Sequence, residues 1–301
     1  MQIILLFLDG VGIGKPDPET NPFFRARLPQ LSSLLDGELP HDRRKRHRSA
    51  LATMVPVNAT LGVPGLPQSG TGQTAIFTGV NAAKLIGKHF GPYPTTDLRP
   101  IVETKNIFRR LMSHGRRAVF ANAFPKQFFD YVESGTRRLT VTTLSAMYAG
   151  IPLLTASDLK QNRGVSADLT RSRWPELGIS DLNVITPAEA GRHLAELSAQ
   201  HDFTLFEYWL TDHAGHSQDM TFGVDVLERF DAFLTGILEL SDLSKTLLVI
   251  VSDHGNLEDL SRKTHTRNPV PCIAIGERRD EFCAIVKNLT HVTPAILRML
   301  V

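Results

Sequence analysis

Apolar residues along this chain fall into short unbroken runs rather than one long stripe. Residues 3–8, 203–210 and 246–251 are such runs, rich in Ile, Leu, Val or Phe, as strands covered on both faces should be. A fourth, 270–275, follows a proline-bounded loop. Between them the spacing turns helical. Thr186-Pro187-Ala188-Glu189 reads as an N-cap, a proline at the first helical position and a capping-box glutamate, predicting a helix to about Gln200. Residues 222–240 predict a second helix, and 107–114 with Gly115 behind them a third, followed by a strand at 118–121. Thr293-Pro294 opens a C-terminal helix. This alternation predicts an α/β fold: a single domain over 1–301, with a mostly parallel central sheet flanked by helices.

Two stretches do not follow the pattern. Arg43-Arg44-Lys45-Arg46-His47-Arg48 reads as a solvated loop or hairpin, with an anion-collecting rim as the alternative. Residues 124–183 mix Pro, Gly, Arg and aromatics without a clean period, as a small lid or long connections would.

Composition narrows the class. With 301 residues, 42% hydrophobic and 21% charged, the chain is neither disordered nor fibrous. A net charge of +2 gives no reason to expect nucleic acid or a membrane as partner. Cys272 and Cys283 are too few for a disulfide framework and read as buried thiols in a reducing compartment. The apolar start at 3–8 is too short for a signal peptide or a membrane span, so a cytoplasmic protein is expected.

The informative feature is where acids and imidazoles fall relative to the strands. Asp9 ends the first apolar run. Asp212 follows the second, with His216 four residues on, and Asp253-His254 close the third. His265 lies in the loop before the fourth run. Open α/β sheets bind ligands at the carboxyl ends of their strands, so three strands deliver Asp or His to one edge. Each piece alone reads equally well as a turn or a cap; together, three Asp and three His suit two divalent ions, Mn²⁺ or Zn²⁺. Pro67-Gln68-Ser69-Gly70-Thr71-Gly72-Gln73 supplies a candidate nucleophile, with small residues leading into a helix at Ala75-Ile76-Phe77. A hydroxyl there sits where a helix N-terminus favours phosphate. Ser69 and Thr71 both qualify on these grounds, and a capped glycine-rich turn is the plain alternative. Three carboxylates against two divalent cations, with one ionised serine, leave a site near neutrality that suits a phosphate dianion.

At these residues the chain resembles the alkaline phosphatase superfamily, and most of all its cofactor-independent phosphoglycerate mutase and phosphopentomutase branch. The likeness is carried by Phe7-Leu8-Asp9-Gly10-Val11-Gly12, Gln68-Ser69-Gly70-Thr71-Gly72-Gln73 and Thr211-Asp212-His213-Ala214-Gly215-His216. Ser252-Asp253-His254-Gly255-Asn256 and Thr264-His265-Thr266-Arg267-Asn268-Pro269-Val270-Pro271 complete it. The resemblance implies that Asp9, Ser69, Asp253 and His254 hold one metal, and that Asp212, His216 and His265 hold the other. It further implies that Ser69 rather than Thr71 is the nucleophile, passing through phospho-Ser69.

The chain departs from the mutase pattern in two places. Gln73 stands where those enzymes carry His, and the interval from Gly72 to Asp212 is too short for their inserted second domain. The short interval favours a phosphatase or phosphodiesterase acting on a small phosphorylated substrate, with a phosphomutase of a small sugar or acid as the alternative. A non-catalytic, metal-stabilised binding protein is the rival outside enzymes. Thr71, Gln73, Lys84, Lys88, His89, Asn122 and Arg163 are candidate substrate contacts, while Trp174 and Trp209 read as core or lid packing.

Overall fold

A computed structural model describes residues 1–42, 46–135 and 138–301; Arg43, Arg44 and Lys45 of the basic run lie outside the described residues. The strands are β1 (Gln2–Leu8), β2 (His47–Arg48), β3 (Ala52–Val57), β4 (Ala118–Phe120), β5 (Ala123–Phe124), β6 (Leu154–Thr155), β7 (Phe203–Tyr208), β8 (Thr246–Ser252) and β9 (Val270–Gly276). Seven form one sheet in the order β2-β3-β9-β8-β1-β7-β4, and β5 pairs with β6 apart from it.

β1 runs between β7 and β8, parallel to both, with Leu5 opposite Leu205 on one side and Val249 on the other. Ile3, Leu5 and Phe7 join the core on one face, and Ile4, Leu6 and Leu8 the core on the other. A strand covered on both faces has no polar side to present, which is why its sequence is an unbroken apolar run. The helices Pro187–Ser198 and Met220–Leu240 cover the second face; Ser69–Thr78, Ile107–Ser113, Val141–Ala149 and Val292–Leu300 cover the first.

The sheet is mostly parallel, as expected, but mixed rather than purely parallel. β8-β1-β7-β4 is parallel, but β9 runs antiparallel to β8 and to β3, and β2 antiparallel to β3. The reason lies in the connection. A parallel return needs a crossover, usually a helix, and residues 253–269 contain none. β9 therefore starts at the edge where β8 stops and runs back. β3 escapes sequence reading because Thr53 and Pro56 interrupt its apolar run; Pro56 lies opposite Pro271, so two residues without a backbone N–H face each other.

Other boundaries shift by local chemistry. The predicted capping box is present: Glu189 N–H donates to Thr186 Oγ1 (3.2 Å) and Thr186 N–H to Glu189 Oε2 (2.7 Å), though the helix stops at Ser198. The 222–240 run starts at Met220, because Asp219 Oδ1 accepts from Thr221 N–H (2.8 Å) and Phe222 N–H (3.2 Å). The 203–210 run ends as a strand at Tyr208, and Leu210 already opens the helix Leu210–Ser217. Within 124–183, the helix Val141–Ala149 is packed into the main core through Val141, Leu144 and Ala146, whereas Leu159, Trp174 and Leu182 form a separate small cluster with Ala123. Of the basic run, His47 and Arg48 form β2, and Arg46 and Arg48 pair with Asp280. Both cysteines are buried and unpaired. Among the described residues no helix is long and apolar enough to cross a membrane.

The helices Pro187–Ser198 and Met220–Leu240 cross backbone to backbone. A Cβ built on Gly236 would fall inside contact distance of the Ala188 carbonyl. Backbone cannot step aside as a flexible side chain can. Gly236→Ala is therefore expected to destabilise the protein by about 1–3 kcal/mol or more, measured as a lower midpoint in chemical denaturation with the circular dichroism of the native state retained.

Candidate functional site

Parallel strands β1, β7 and β8 end at one edge of the sheet, and each end carries an acid. Asp9 follows β1 directly and is buried. Asp253 and His254 follow β8 and are fully buried. Asp212 sits in the first turn of the helix Leu210–Ser217, with exposed His216 one turn on, so a helix rather than the strand itself aims this pair. The antiparallel run of β9 keeps the whole 253–269 loop at this edge, and His265 with it. The same geometry serves Ser69: Val57 of β3 lies opposite Val270, so the chain leaving β3 stays at the edge until it enters the helix Ser69–Thr78. That helix starts at Ser69 rather than near Ala75, with Gln68 as its extended N-cap.

These groups are in mutual contact. His254 Nε2 stands 2.9 Å from Ser69 Oγ, 3.3 Å from Asp9 Oδ1 and 3.6 Å from Asp253 Oδ2. His216 Nε2 lies 3.3 Å from Asp212 Oδ2, and His265 Nε2 lies 3.8 Å from Asp212 Oδ1. The His254 and His265 rings stack at 3.8 Å, joining the two clusters. Gly10 makes room for this, with φ of +70° and a Cβ position occupied by the Asp212 carboxylate. An alanine there would be strained and would clash.

The donor set fits divalent cations. His265 Nδ1 donates to the Pro67 carbonyl (2.8 Å) and His216 Nδ1 to the Lys263 carbonyl (3.1 Å). The two Nε2 atoms lie 3.1 Å apart beside the Asp212 carboxylate, which holds the His216 imidazole pKa above its ordinary value, so a proton on His216 Nε2 points into the same space as the His265 lone pair. A divalent cation in place of that proton would take both nitrogens and the carboxylate as ligands. In the buried cluster, Asp9 Oδ1 and Asp253 Oδ2 have no hydrogen-bond partner. Asp212, His216 and His265 form one group of convergent ligand atoms, and Asp9, Asp212 and His254 another, so Asp212 borders both.

Electrostatics agree with that reading. Burial and the neighbouring Asp253 charge push the Asp9 carboxyl well above its usual range, and burial also raises Asp253. Burial disfavours charge on His254, yet the surrounding carboxylates Asp253, Asp9 and Asp212 hold its pKa up to about 10. Burial, reinforced by His254, lowers His265 to about 4, which keeps its Nε2 a lone-pair donor. Asp212 is partly buried, but hydrogen bonds from His216 and Asn256 hold it well below the ordinary carboxylate range.

The other sequence candidates separate clearly. Thr71 Oγ1 donates to the Gln68 carbonyl (3.1 Å) and accepts from Phe90 N–H (3.3 Å), so its hydroxyl ties the 88–93 loop to the helix. Gln73 Nε2 donates to Asp9 Oδ2 (3.3 Å) and steadies that carboxylate. Asn122 uses both ends of its amide on the backbone of Glu207, at 2.8 Å each, extending the β4–β7 pairing. Lys84 and Lys88 are exposed, Lys88 lying 5.7 Å over the Phe90 ring, while His89 Nε2 meets the Val63 carbonyl at 3.2 Å. Arg163 is exposed and held by Asp158 and Gln161, with no contact to the acids and imidazoles above. Trp174 is buried with Nε1–H donating to Ser166 Oγ (2.7 Å), whereas Trp209 is exposed at a cavity wall.

Sequence reasoning missed three residues. Asn256 Nδ2 donates to Asp212 Oδ1 (2.7 Å). Glu258 is a buried clamp, accepting from Gly12 N–H (2.9 Å), Asn256 N–H (2.8 Å), Asn268 Nδ2 (2.9 Å) and Thr266 Oγ1. Both follow the Asp253-His254 pair so closely that the spacing was a usable signal. Glu207 is the third: a buried carboxyl in an otherwise apolar strand, with Oε2 accepting from Thr142 Oγ1 and Oε1 unpartnered. Burial raises it to about 8 from an ordinary 4.5, outweighing the Thr142 bond that lowers it.

Between those two values the folded protein keeps a proton that the unfolded chain has released. Glu207 therefore costs stability increasingly as pH rises from about 4.5 to about 8. Glu207→Gln removes this titration. Its melting temperature is expected to gain several degrees on the parent between pH 5 and pH 8; a pH-independent difference would show that the carboxyl is ionised throughout.

Comparison with known proteins places these features in a family context. Residues 181–301, which include Asp212, His216, Asp253, His254 and His265, match the Metalloenzyme superfamily. A 2,3-bisphosphoglycerate-independent phosphoglycerate mutase of Pyrococcus abyssi is 29% identical over 102 residues, 34% of this chain and 24% of that protein. A second such mutase, from Methanothermobacter thermautotrophicus, is 32% identical over 130 residues, 42% of this chain and 31% of that protein. The matched stretches thus span under a third of either relative. Solved structures match over nearly the full chain at 13% identity: the PH0037 protein from Pyrococcus horikoshii (TM-score 0.58, covering 99% of this chain and 97% of that one) and the alkaline phosphatase from the Antarctic bacterium TAB5 (TM-score 0.54, 99% and 98%). The chain carries an alkaline-phosphatase-like fold along its length, and its residues 181–301 bear the likeness to the Metalloenzyme superfamily.

Proposed function

We propose that the protein is a dinuclear-metal phosphoryl-transfer enzyme that forms a phospho-Ser69 intermediate and passes the phosphoryl group to water. The observation that carries this reading is Ser69 Oγ, held at the start of a ten-residue helix and 2.9 Å from His254 Nε2, where two clusters of carboxylates and imidazoles meet. Asp9, Ser69, Asp253 and His254 would hold one divalent ion, Mn²⁺ or Zn²⁺, and Asp212, His216 and His265 the other. Bound there, such ions supply the charge that favours a serine alkoxide and a phosphate dianion in one site. Ser69 Oγ attacks phosphorus, the bond to the ester oxygen breaks, and the alcohol leaves with a proton from solvent. Water then attacks the phosphorus of phospho-Ser69 and gives up a proton to solvent, the Oγ–P bond breaks, inorganic phosphate leaves, and Ser69 Oγ is free for the next ester. The helix dipole and the first-turn N–H groups of Ser69 and Gly70 face the phosphoryl oxygens. Those of Thr71 and Gly72 are already bonded to the Phe90 and Gln68 carbonyls.

Hydrolysis is favoured by how the Gly72–Asp212 interval is used. β4, β7 and the helices Ile107–Ser113, Val141–Ala149 and Pro187–Ser198 all belong to the sheet and its two cores. Among the described residues of that interval, the helix Lys126–Glu133 and the small cluster of Leu159, Trp174 and Leu182 are left to cover a substrate. A mutase must retain its substrate while the phosphoryl group is on the enzyme, which requires closure. The second reading, a phosphomutase of a small sugar or acid, is favoured by the names of the sequence relatives. Both are small-phosphoester chemistry at the same serine.

Ser69→Ala is expected to lower turnover of phosphomonoesters by about a thousand-fold or more while metal content, measured by atomic emission, is retained through Asp9, Asp253 and His254. A variant as active as the parent would end the serine mechanism. Release of inorganic phosphate without an isomer identifies the hydrolase, and isomer without release identifies the mutase.

A further inference from the structure

Beside Asp9 the sheet edge opens into a cavity of about 530 Å³. Phe124, Phe128, Tyr131, Trp174 and Trp209 give its wall a broad aromatic surface, with Arg138, Arg173 and Glu176 among its charged residues. Phe124 and Phe128 stack at 4.2 Å, and Tyr131 and Trp209 are 42% and 40% exposed, so the cavity is open to solvent at an aromatic rim. Among the described residues, two that line it each carry a buried polar atom without a partner: Asp9 (Oδ1), at the metal-ligand end, and Glu207 (Oε1).

We propose that this cavity seats the alcohol side of the phosphoester, and that this alcohol carries a planar ring bearing a hydroxyl or N–H group that meets Glu207 Oε1. The proposal rests on the phosphoryl-transfer reading and adds the substrate class to it. A three-carbon acid would leave most of an apolar chamber of this size unfilled, and apolar walls hold water poorly. Aromatic walls instead favour a flat π-surface. Of the other polar groups of the wall, the Asn122 amide is committed to the Glu207 backbone, the Asp168 carboxylate to Ser166 and to the N–H groups of Thr170, Arg171 and Arg173, and the Arg173 guanidinium to Glu176. The Glu207 carboxyl has one oxygen fixed by Thr142, which Thr140 in turn contacts at 2.8 Å, so Oε1 is presented in a set direction. A ring hydroxyl suits it in either protonation state, accepting from the acid or donating to the carboxylate. Such rings come from two sources, phenols and nucleobases.

The two tryptophans of the chain both line the cavity, so intrinsic fluorescence reports on its contents. Mn²⁺-loaded full-length protein is titrated with resorcinol, adenosine, guanosine, anisole and glycerol. Phosphate release is measured in parallel from resorcinol monophosphate, the two nucleoside 5′-monophosphates and glycerol 3-phosphate. Saturable fluorescence change is expected with resorcinol or a nucleoside, and about tenfold weaker or absent response with anisole and glycerol. Resorcinol alone assigns the ring to phenols, and nucleosides alone to nucleobases. Glu207→Gln and the rim variant Tyr131→Ala are each expected to weaken the ring response about fivefold or more, and the rim variant keeps the test valid if the buried one fails to fold. No saturable response to any ring compound, or equal affinity in parent and folded variants, overturns the proposal. Phosphate release from glycerol 3-phosphate without ring binding overturns it while leaving phosphoryl transfer intact. Ring binding without phosphate release from any ester supports the cavity assignment and overturns the phosphoryl-transfer reading instead.

Discussion

Asp9, Asp212 and Asp253 repel one another across an edge where the sheet gives none of them room to withdraw. β1 is buried on both faces and bonded on both sides, so Asp9 is fixed by the strand before it. Asp253 follows the neighbouring strand, and Asp212 presses against Gly10. Burial raises the two inner carboxyls, and His254 is held charged among all three. Confinement of like charge at low dielectric is costly unless positive charge accompanies it. The rest of the site is built around that confinement: Gln73 steadies Asp9, Asn256 steadies Asp212, and Glu258 locks the loops carrying Gly12, Asn256 and Thr266.

The two clusters differ in access. Asp253 and His254 are sealed in, while His216 is open to solvent and His265 reaches it across a 3.1 Å gap between ring nitrogens. Backbone carbonyls at Pro67 and Lys263 impose this arrangement by taking the other ring nitrogen of each imidazole. Ser69 stands where the sealed cluster meets the helix N-terminus, and the aromatic cavity begins at Asp9 on the other side. Chemistry and substrate room are thereby separated by one carboxylate.

Much of this was legible in the sequence because it depends on strand ends. Apolar runs gave β1, β7 and β8, and the acids just beyond them marked the edge that binds. The direction of β9 was not legible, since an apolar run has no polarity; it follows from the lack of a helix between Asp253 and Pro269. Pro56 hid β3 for the same local reason that suits it to lie opposite Pro271. Asn122 and Arg163 were attractive as single polar residues near the edge, but tertiary partners claimed them, one by a strand backbone and one by Asp158. Glu207 was passed over although a carboxyl inside FTLFEY is itself an anomaly. Side-chain identity shows where chemistry can be, and only packing shows which groups are left with an open valence.

The central claim is that paired cations balance the carboxylates and imidazoles at this edge. Calorimetric titration of chelator-treated protein with Mn²⁺ and with Zn²⁺, read alongside the melting temperature, tests it most directly. The expected result is two equivalents per chain for at least one of the metals, with proton release on binding and a rise in melting temperature; His265→Ala should remove the more exposed of the two equivalents. Failure of both metals to bind stoichiometrically, or binding that His265→Ala leaves untouched, would contradict the account.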